Sequence, residues 1–388
     1  MEPGQVTRGA VVLAVTGGHV AAVALFLALA GCGSASDATD TTASPRGSFP
    51  TAAFADIRKD PVSEEVAAKL QAALDDVAGG AGMAATVMSP AGTWSGATGK
   101  ADGVRDVAVN DQFAIGSVTK SAIAAQVMQM VEAGELDLDD PATDHLPPDF
   151  DFDTNGATIR QLLSHRSGIP DYFGLIEETL ADDRLRAWKP AELLELVPEE
   201  RAPVGDAFEY AETNYLLLGL VIEHLRRQSV AEVLRDGVLD IEGVERLIYQ
   251  PDERPTAPMA MPEGESRASL EKGGGYLPFL ADTTVQMASD APSLARWWRA
   301  LCSGEIVSHA SLTKMSTFAG GPDGYGLGLF NAADPYAQGI GHTGDAFGFA
   351  AWAGCLPDER AVIVVLSNRS VEDKGGMARP LVRAARPD

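Results

Sequence analysis

Three serines in this chain stand three residues before a lysine: Ser117/Lys120, Ser269/Lys272 and Ser311/Lys314. A serine hydroxyl becomes a nucleophile when a base lies within hydrogen-bond reach and donors face the developing oxyanion. Ser-x-x-Lys at a helix start supplies the first pair, because residues i and i+3 share a helical face. It also puts the serine N–H among the unpaired amides of the first turn. The pattern alone is weak, since a surface serine near a lysine gives the same string. Context separates the three. Ser117 follows Phe113-Ala114-Ile115-Gly116 and opens a helix with the apolar stripe Ile123, Val127, Met130 and Val131. Lys120 then lies at the start of a core helix, where desolvation lowers an ammonium pKa and makes the amine a base. Ser269/Lys272 sits in a charged stretch before three glycines, and Ser311/Lys314 has too little chain behind it for a separate tyrosine motif. The chemistry to expect is acyl transfer through Ser117.

Four segments occur in order: Phe113–Lys120 (FAIGSVTK), Thr158–Tyr172 (TIRQLLSHRSGIPDY), Phe208–Gly219 (FEYAETNYLLLG) and Gly341–Gly344 (GHTG). Together they resemble the class C β-lactamase and D-alanyl-D-alanine carboxypeptidase family of penicillin-recognising serine hydrolases, over about residues 55–385. The resemblance implies Ser117 as the acylated nucleophile, Lys120 as general base, and Tyr210 sharing proton transfer as the tyrosine of a Tyr-x-Asn element. It also implies that His342-Thr343-Gly344 stands for a Lys-Thr-Gly element on the strand walling the site. The oxyanion hole would come from the backbone N–H groups of Ser117 and Asp345. The substrate so implied is a small amide or ester. A peptidoglycan stem peptide ending in D-Ala-D-Ala comes first, because some carboxypeptidases of the family carry His-Thr-Gly. A β-lactam or an ester comes second, and a weakly catalytic binder of wall fragments is the reading from another class.

Residue chemistry sets expectations for each role. Tyrosine titrates near about 10 and serves as a base only when a cation such as Lys120 stabilises its phenolate. An unperturbed His342 titrates near about 6.5 and in its protonated form would hold a substrate carboxylate. His165 and Arg166, inside TIRQLLSH, are expected to pack and to fix loops. The departure from the family is Tyr210-Ala211-Glu212, with Glu212 where Asn is usual. An ionised Glu only accepts hydrogen bonds. Near Lys120 its charge should raise the lysine pKa and slow acylation, or else bind a cationic substrate amine; turned to solvent it would do neither.

Competing motifs fail. Gly339–Gly344 formally fits G-x-G-x-x-G, but the residues after it read as a strand and not as a phosphate-capping helix. There is no G-x-S-x-G, no Cys-x-x-Cys and no His-Glu-x-x-His, so no α/β-hydrolase elbow, metal or cofactor is expected. Thirty Lys and Arg against 55 Asp and Glu give a net charge of −25, which repels nucleic acid and anionic headgroups.

The elements that must position Ser117 follow from periodicity. Helices are expected over Pro61–Val77, Ser117–Ala133, Thr158–Leu163, Ala191–Val197, Tyr215–Leu225, Ala291–Leu301 and Met377–Ala385. Strands are expected over Ala84–Met88, Thr93–Thr98, Ala346–Cys355 and Ala361–Ser367. The fold class is therefore α/β (α+β): an antiparallel sheet built from both chain ends and flanked by helices, with a mostly helical inserted lobe. Cys302 on a helix and Cys355 on a strand are either two buried thiols or, in an oxidising compartment, a disulfide.

The N-terminus reads as an address. One Arg, an apolar run Val20–Ala30 and small residues before Cys32 describe an export signal over residues 1–31. Leu29-Ala30-Gly31-Cys32 resembles a lipoprotein lipobox with Cys32 lipidated, so the membrane would be met through a lipid anchor only. Ordinary cleavage after Ala30 and an uncleaved anchor are the alternatives. All three put the body outside the cytoplasm. Residues 32–51 read as a flexible Ser/Thr/Asp/Pro tether, and 52–388 as the serine hydrolase domain.

Overall fold

The computed structural model describes residues 48–148, 150–174, 188–205, 207–250, 252–264, 287–318, 324–332, 339–346 and 348–386, within the unit Ala43–Asp388. Its strands are β1 Met83–Ser89, β2 Gly92–Thr98, β3 Phe113–Gly116, β4 Ile248–Tyr249, β5 Met287–Ser289, β6 Phe330–Asn331, β7 Ile340–Ala346, β8 Phe349–Leu356 and β9 Ala361–Ser367. The longer helices are α1 Glu64–Ala78, α2 Thr119–Glu132, α3 Glu212–Arg226, α4 Ala291–Ser303 and α5 Lys374–Ala384. Residues 1–31, Cys32, most of the tether and Ser269/Lys272 lie outside the described residues.

Six antiparallel strands form the main sheet in the order β2-β1-β9-β8-β7-β6. Chain-end strands β1 and β9 meet at its centre with Met83 opposite Ser367. Every residue of β9 is buried, and the reason is visible in its alternation. Ala361, Ile363 and Val365 pack with Leu70 and Leu74 of α1 and Leu381 of α5, while Val362, Val364 and Leu366 face the core that holds Trp297 and Trp298 of α4. A period of two with apolar residues on both faces is what a strand covered on both sides requires. The expected sheet from both ends, flanked by helices, is the observed architecture.

The inserted lobe is helical, with α2 and α3 packed together, but it also carries a second sheet, β3-β5-β4. Sequence periodicity missed this sheet because its strands have two to four residues. Elsewhere local chemistry sets the ends. Thr158 caps Ile159–Leu163 in a reciprocal box: its side chain accepts from Gln161 N–H, and the Gln161 amide oxygen accepts from Thr158 N–H at 2.9 Å. Helix α3 begins at Glu212, three residues ahead of the expected start at Tyr215, with Glu212, Thr213 and Asn214 buried as polar residues. A hydrophobic pattern cannot register such a turn.

Two findings revise the periphery. Ser48–Thr51, assigned to the tether, belong to the body: Phe49 is buried, stacks on Phe54 at 5.8 Å, and its N–H donates to Thr313 Oγ1 at 3.4 Å. An aromatic residue in a run of small polar ones was the available signal. Cys302 of α4 and Cys355 of β8 are joined in a disulfide across 53 residues of sequence, so the open choice between thiols and a bridge resolves to the bridge. The bond ties the helix covering one sheet face to a strand of that sheet, and closing a loop of this size restricts the unfolded chain. The double variant Cys302→Ala/Cys355→Ala should lose about 2–4 kcal/mol of unfolding free energy in urea titration, as should the reduced wild-type protein. An unchanged midpoint would remove the bond from the stability argument.

Candidate active site

Strand β3 ends at Gly116, whose φ of +51° turns the chain so that Ser117 and Val118 form the entry to α2. Ser117 is therefore in the turn ahead of the helix, which begins at Thr119 and not at the serine. The turn is fixed at both ends: Thr119 Oγ1 donates to Gly116 O at 2.7 Å and accepts from Met287 N–H of β5 at 3.0 Å. Against it lies β7. A Cβ on Gly116 would stand 2.4 Å from Asp345 O, and one on Gly344 would stand 1.9 Å from Ile115 O. Two backbones approach there with no room for a methyl group. This contact puts Asp345 beside Gly116-Ser117, so the two amides expected to bind an oxyanion lie on abutting segments. It also gives Gly344 a reason to be glycine that the motif alone does not disclose.

Lys120, one turn into the core, has no solvent-exposed side-chain surface. Its Nζ donates to Ser117 Oγ at 3.1 Å and to Glu212 Oε2 at 2.5 Å. The Tyr210 ring lies 5.0 Å from the same nitrogen. Burial lowers the Lys120 pKa, and although Glu212 and then Asp171 act to raise it, burial prevails. Glu212 sits where the sequence reading placed it and does act to raise the lysine pKa, but desolvation is the larger effect and the net shift is downward. Glu212 is held by the start of α3, with its N–H donating to Asp171 Oδ1 at 3.0 Å. Burial first, and the Glu212 charge second, push the Asp171 pKa up to about 6.

Tyr210 is half-buried, and its hydroxyl, which is shut off from solvent, makes no hydrogen bond of good geometry; the Ser117 hydroxyl nonetheless favours its ionised form. Burial, followed by the Glu212 charge, drives its pKa well above 10. The residue is a neutral phenol in the resting site, and the phenolate that a base role requires is disfavoured there. His165, expected to pack, does so. Its ring stacks on Tyr210 at 4.2 Å between centroids, and its Nδ1 accepts from Ala211 N–H at 3.2 Å.

His342 departs most from expectation. Its Nδ1 lies 2.6 Å from Thr343 O, which can only accept, so Nδ1 carries the proton. Its Nε2 then accepts from the Tyr325 hydroxyl at 3.1 Å. Burial and the nearby Lys120 charge lower its pKa to about 3. It is neutral at any physiological pH and does not titrate near 6.5, so it is no substitute for a cationic lysine. Tyr325, which supplies its partner, was not singled out from sequence; it precedes Gly326 in a Gly/Leu-rich run without a motif. Thr343 lies between on β7, half-buried and opposite Trp352. Asp345 is exposed, and its carboxylate is held by Lys374 at 2.9 Å and Ser370 at 3.0 Å. Ser311 is buried in the first turn of His309–Met315, where its N–H donates to the N-cap Ser308 Oγ at 3.2 Å. Among the described residues no His/Cys/Asp/Glu cluster has the form of a metal site.

Asp171 gives the site a signed pH effect. Its folded pKa of about 6 exceeds the ordinary 3.8, so the folded state binds this proton more tightly than the unfolded one. Stability from this group is full below about pH 4 and is lost as pH rises to about 6. Asp171→Asn keeps an oxygen for the Glu212 and Phe173 amides. It should be more stable than wild type by roughly 1–3 kcal/mol at pH 7, with the difference vanishing near pH 4. Equal denaturation midpoints at pH 7 would refute the burial argument.

Comparison with known proteins follows the geometry. A family model described as Beta-lactamase matches residues 35–386. Penicillin-binding protein 4 of Amycolatopsis lactamdurans is 29% identical over 288 residues, covering 68% of this chain and 74% of that protein. The penicillin-binding protein PbpX of Bacillus subtilis (strain 168) is 25% identical over 231 residues, and the match spans 58% of this chain and 55% of PbpX. Among solved structures, the D-amino acid amidase from Ochrobactrum anthropi SV3 superposes with a TM-score of 0.71 at 24% identity, over 83% of this chain and 97% of that one. A penicillin binding protein from Bacillus halodurans does so with a TM-score of 0.69 at 24% identity, over 80% and 97%. With a family model spanning nearly the whole described body and these neighbours sharing its fold, the chain belongs to the β-lactamase family of serine hydrolases.

Proposed function

We propose that this protein cleaves a small amide or ester through an acyl-enzyme on Ser117. The observation that carries the reading is the fully buried Lys120 amine, 3.1 Å from Ser117 Oγ with its pKa lowered. A neutral amine at that distance takes the hydroxyl proton as Oγ attacks the carbonyl carbon. The N–H groups of Ser117 and Asp345 stabilise the oxyanion, and the Tyr210 phenol gives its proton to the leaving group while it takes up the one that Lys120 received, so the phenol and the neutral amine are both restored. Ser117→Ala should abolish acylation by an activated ester or a penicillin, while Ser311→Ala should leave it intact. Mass spectrometry of the trapped adduct decides between them, and an adduct on another serine would overturn the assignment.

For the substrate, the penicillin-binding relatives support D-alanyl-D-alanine carboxypeptidase action on a peptidoglycan stem peptide. A specific observation favours a second reading. A carboxypeptidase substrate ends in a carboxylate, and the neutral His342 offers it no cation, whereas an amino-acid amide has no such charge to place. The D-amino acid amidase neighbour accords with that alternative. Comparing a peptide ending in D-Ala-D-Ala with the corresponding D-alanine amide separates them: kcat/KM at least tenfold higher for one names the class. Rapid turnover of a penicillin would instead point to β-lactamase action.

We further infer that the protein works outside the cytoplasm, lipid-anchored through Cys32. The apolar run before Cys32 and the Cys302–Cys355 disulfide, a bond that persists in oxidising compartments, support this. Cys32→Ser should move the protein from the membrane fraction to the soluble one; retention at the membrane would refute the lipid anchor.

A further inference from the structure

Hydrolysis through an acyl-enzyme needs a second base, because a water must be deprotonated as it attacks the ester on Ser117. We propose that Glu212 is that base, a role that rests on the reading of Ser117 as the acylated residue. Glu212 lies two hydrogen bonds from the nucleophile, with Oε2 2.5 Å from the Lys120 amine that is itself 3.1 Å from Ser117 Oγ. Lys120 has no exposed side-chain surface, whereas Glu212 retains 12%, so of the two it is the Glu212 side chain that meets solvent. Its place is rigid. It is the first residue of a 15-residue helix, where the unpaired amides favour an anion, and its N–H is fixed on Asp171.

Among the other titratable groups facing this point, the acceptor nitrogens of the two histidines and one oxygen of Asp171 already hold hydrogen bonds. The acceptor nitrogen of His165 takes the Ala211 N–H. The acceptor nitrogen of His342 takes the Tyr325 hydroxyl, and its other nitrogen carries a proton. Asp171 Oδ1 accepts from two backbone amides, Glu212 N–H and Phe173 N–H. Tyr210 and Tyr215 hold their protons, since burial raises both pKa values.

The step balances with one proton held between Lys120 and Glu212. With that proton on Lys120, Glu212 is a carboxylate. The water oxygen bonds to the acyl carbon as its proton passes to Glu212. Collapse of the tetrahedral intermediate breaks the bond from that carbon to Oγ, and Oγ takes a proton from the Lys120 ammonium. The Glu212 proton then crosses to Lys120, which restores the starting site and releases the acid. With the shared proton on Glu212 instead, Lys120 is the neutral amine that acylation needs, so one pair serves both half-reactions in turn.

Glu212→Gln, studied with an activated ester, separates the half-reactions. The expected result is a burst of about one product per enzyme, followed by steady turnover at least 100-fold slower than wild type, with the acyl adduct on Ser117 visible by intact mass. Hydroxylamine attacks without a base and should speed release from the variant far more than from wild type, a rescue that a merely structural defect would not show. Glu212→Asp, which keeps a carboxylate, should recover part of the steady rate. Deacylation of Glu212→Gln within threefold of wild type would overturn the proposal. So would a folded variant, judged by an unchanged thermal midpoint, that no longer acylates, because that places Glu212 in the first half-reaction. Absence of a Ser117 adduct in the wild type would instead strike the underlying reading, and this proposal would fall with it.

Discussion

An amine cut off from solvent has to be held by something, and the protonation states around this site depend on how Lys120 is held. Its partners are one hydroxyl and one carboxylate, and burial outweighs the carboxylate in setting its basicity. The same desolvation acts on its neighbours in opposite senses according to their charge type. It raises the tyrosines and Asp171 and lowers the two histidines. A buried site thus favours neutral forms throughout. The surface of a chain with net charge −25 is therefore a poor guide to the field its nucleophile feels.

The second requirement is steric. Oxyanion stabilisation needs two backbone amides from distant parts of the chain to point at one small volume, and here a strand end and a strand of the main sheet meet with Gly116 against Asp345 and Gly344 against Ile115. Side chains can be exchanged around such a point at modest cost, but the contact itself tolerates nothing larger than hydrogen at positions 116 and 344. In this protein the motif residues divide accordingly: Ser117 and Lys120 carry groups, while Gly116 and Gly344 carry an absence.

Much of this was legible beforehand, and what was not has identifiable causes. The central strand Ala361–Ser367 was read to the residue because an apolar run with turn residues on both sides has one interpretation. The Ser117/Lys120 pair stood out from its two imitators by the apolar stripe behind it. Tyr210 and the His342 strand were found through family resemblance, since nothing in their local spacing marks them. Titration behaviour was read less well. The lowered Lys120 pKa was anticipated from its place in a core helix, but Tyr210 and His342 were assigned properties of groups in water, whereas burial depends on what the fold stacks above them. Tyr325 and Asp171 escaped notice for a related reason, as each acts only through a residue that meets it in space.

The pairing of β1 with β9 has a consequence for how such a molecule is made. The first of these strands leaves the ribosome well before the second, and the long chain between them has to be closed as a loop. The wall that faces Ser117 is β7, made after the serine and placed in the same sheet beside β8. During synthesis the serine and lysine can come together across one local turn, yet the amide of Asp345 has no place to stand until β7, β8 and β9 dock. Reactivity therefore waits on that docking, and a copy that has not yet reached β7 carries a nucleophile without its second oxyanion donor.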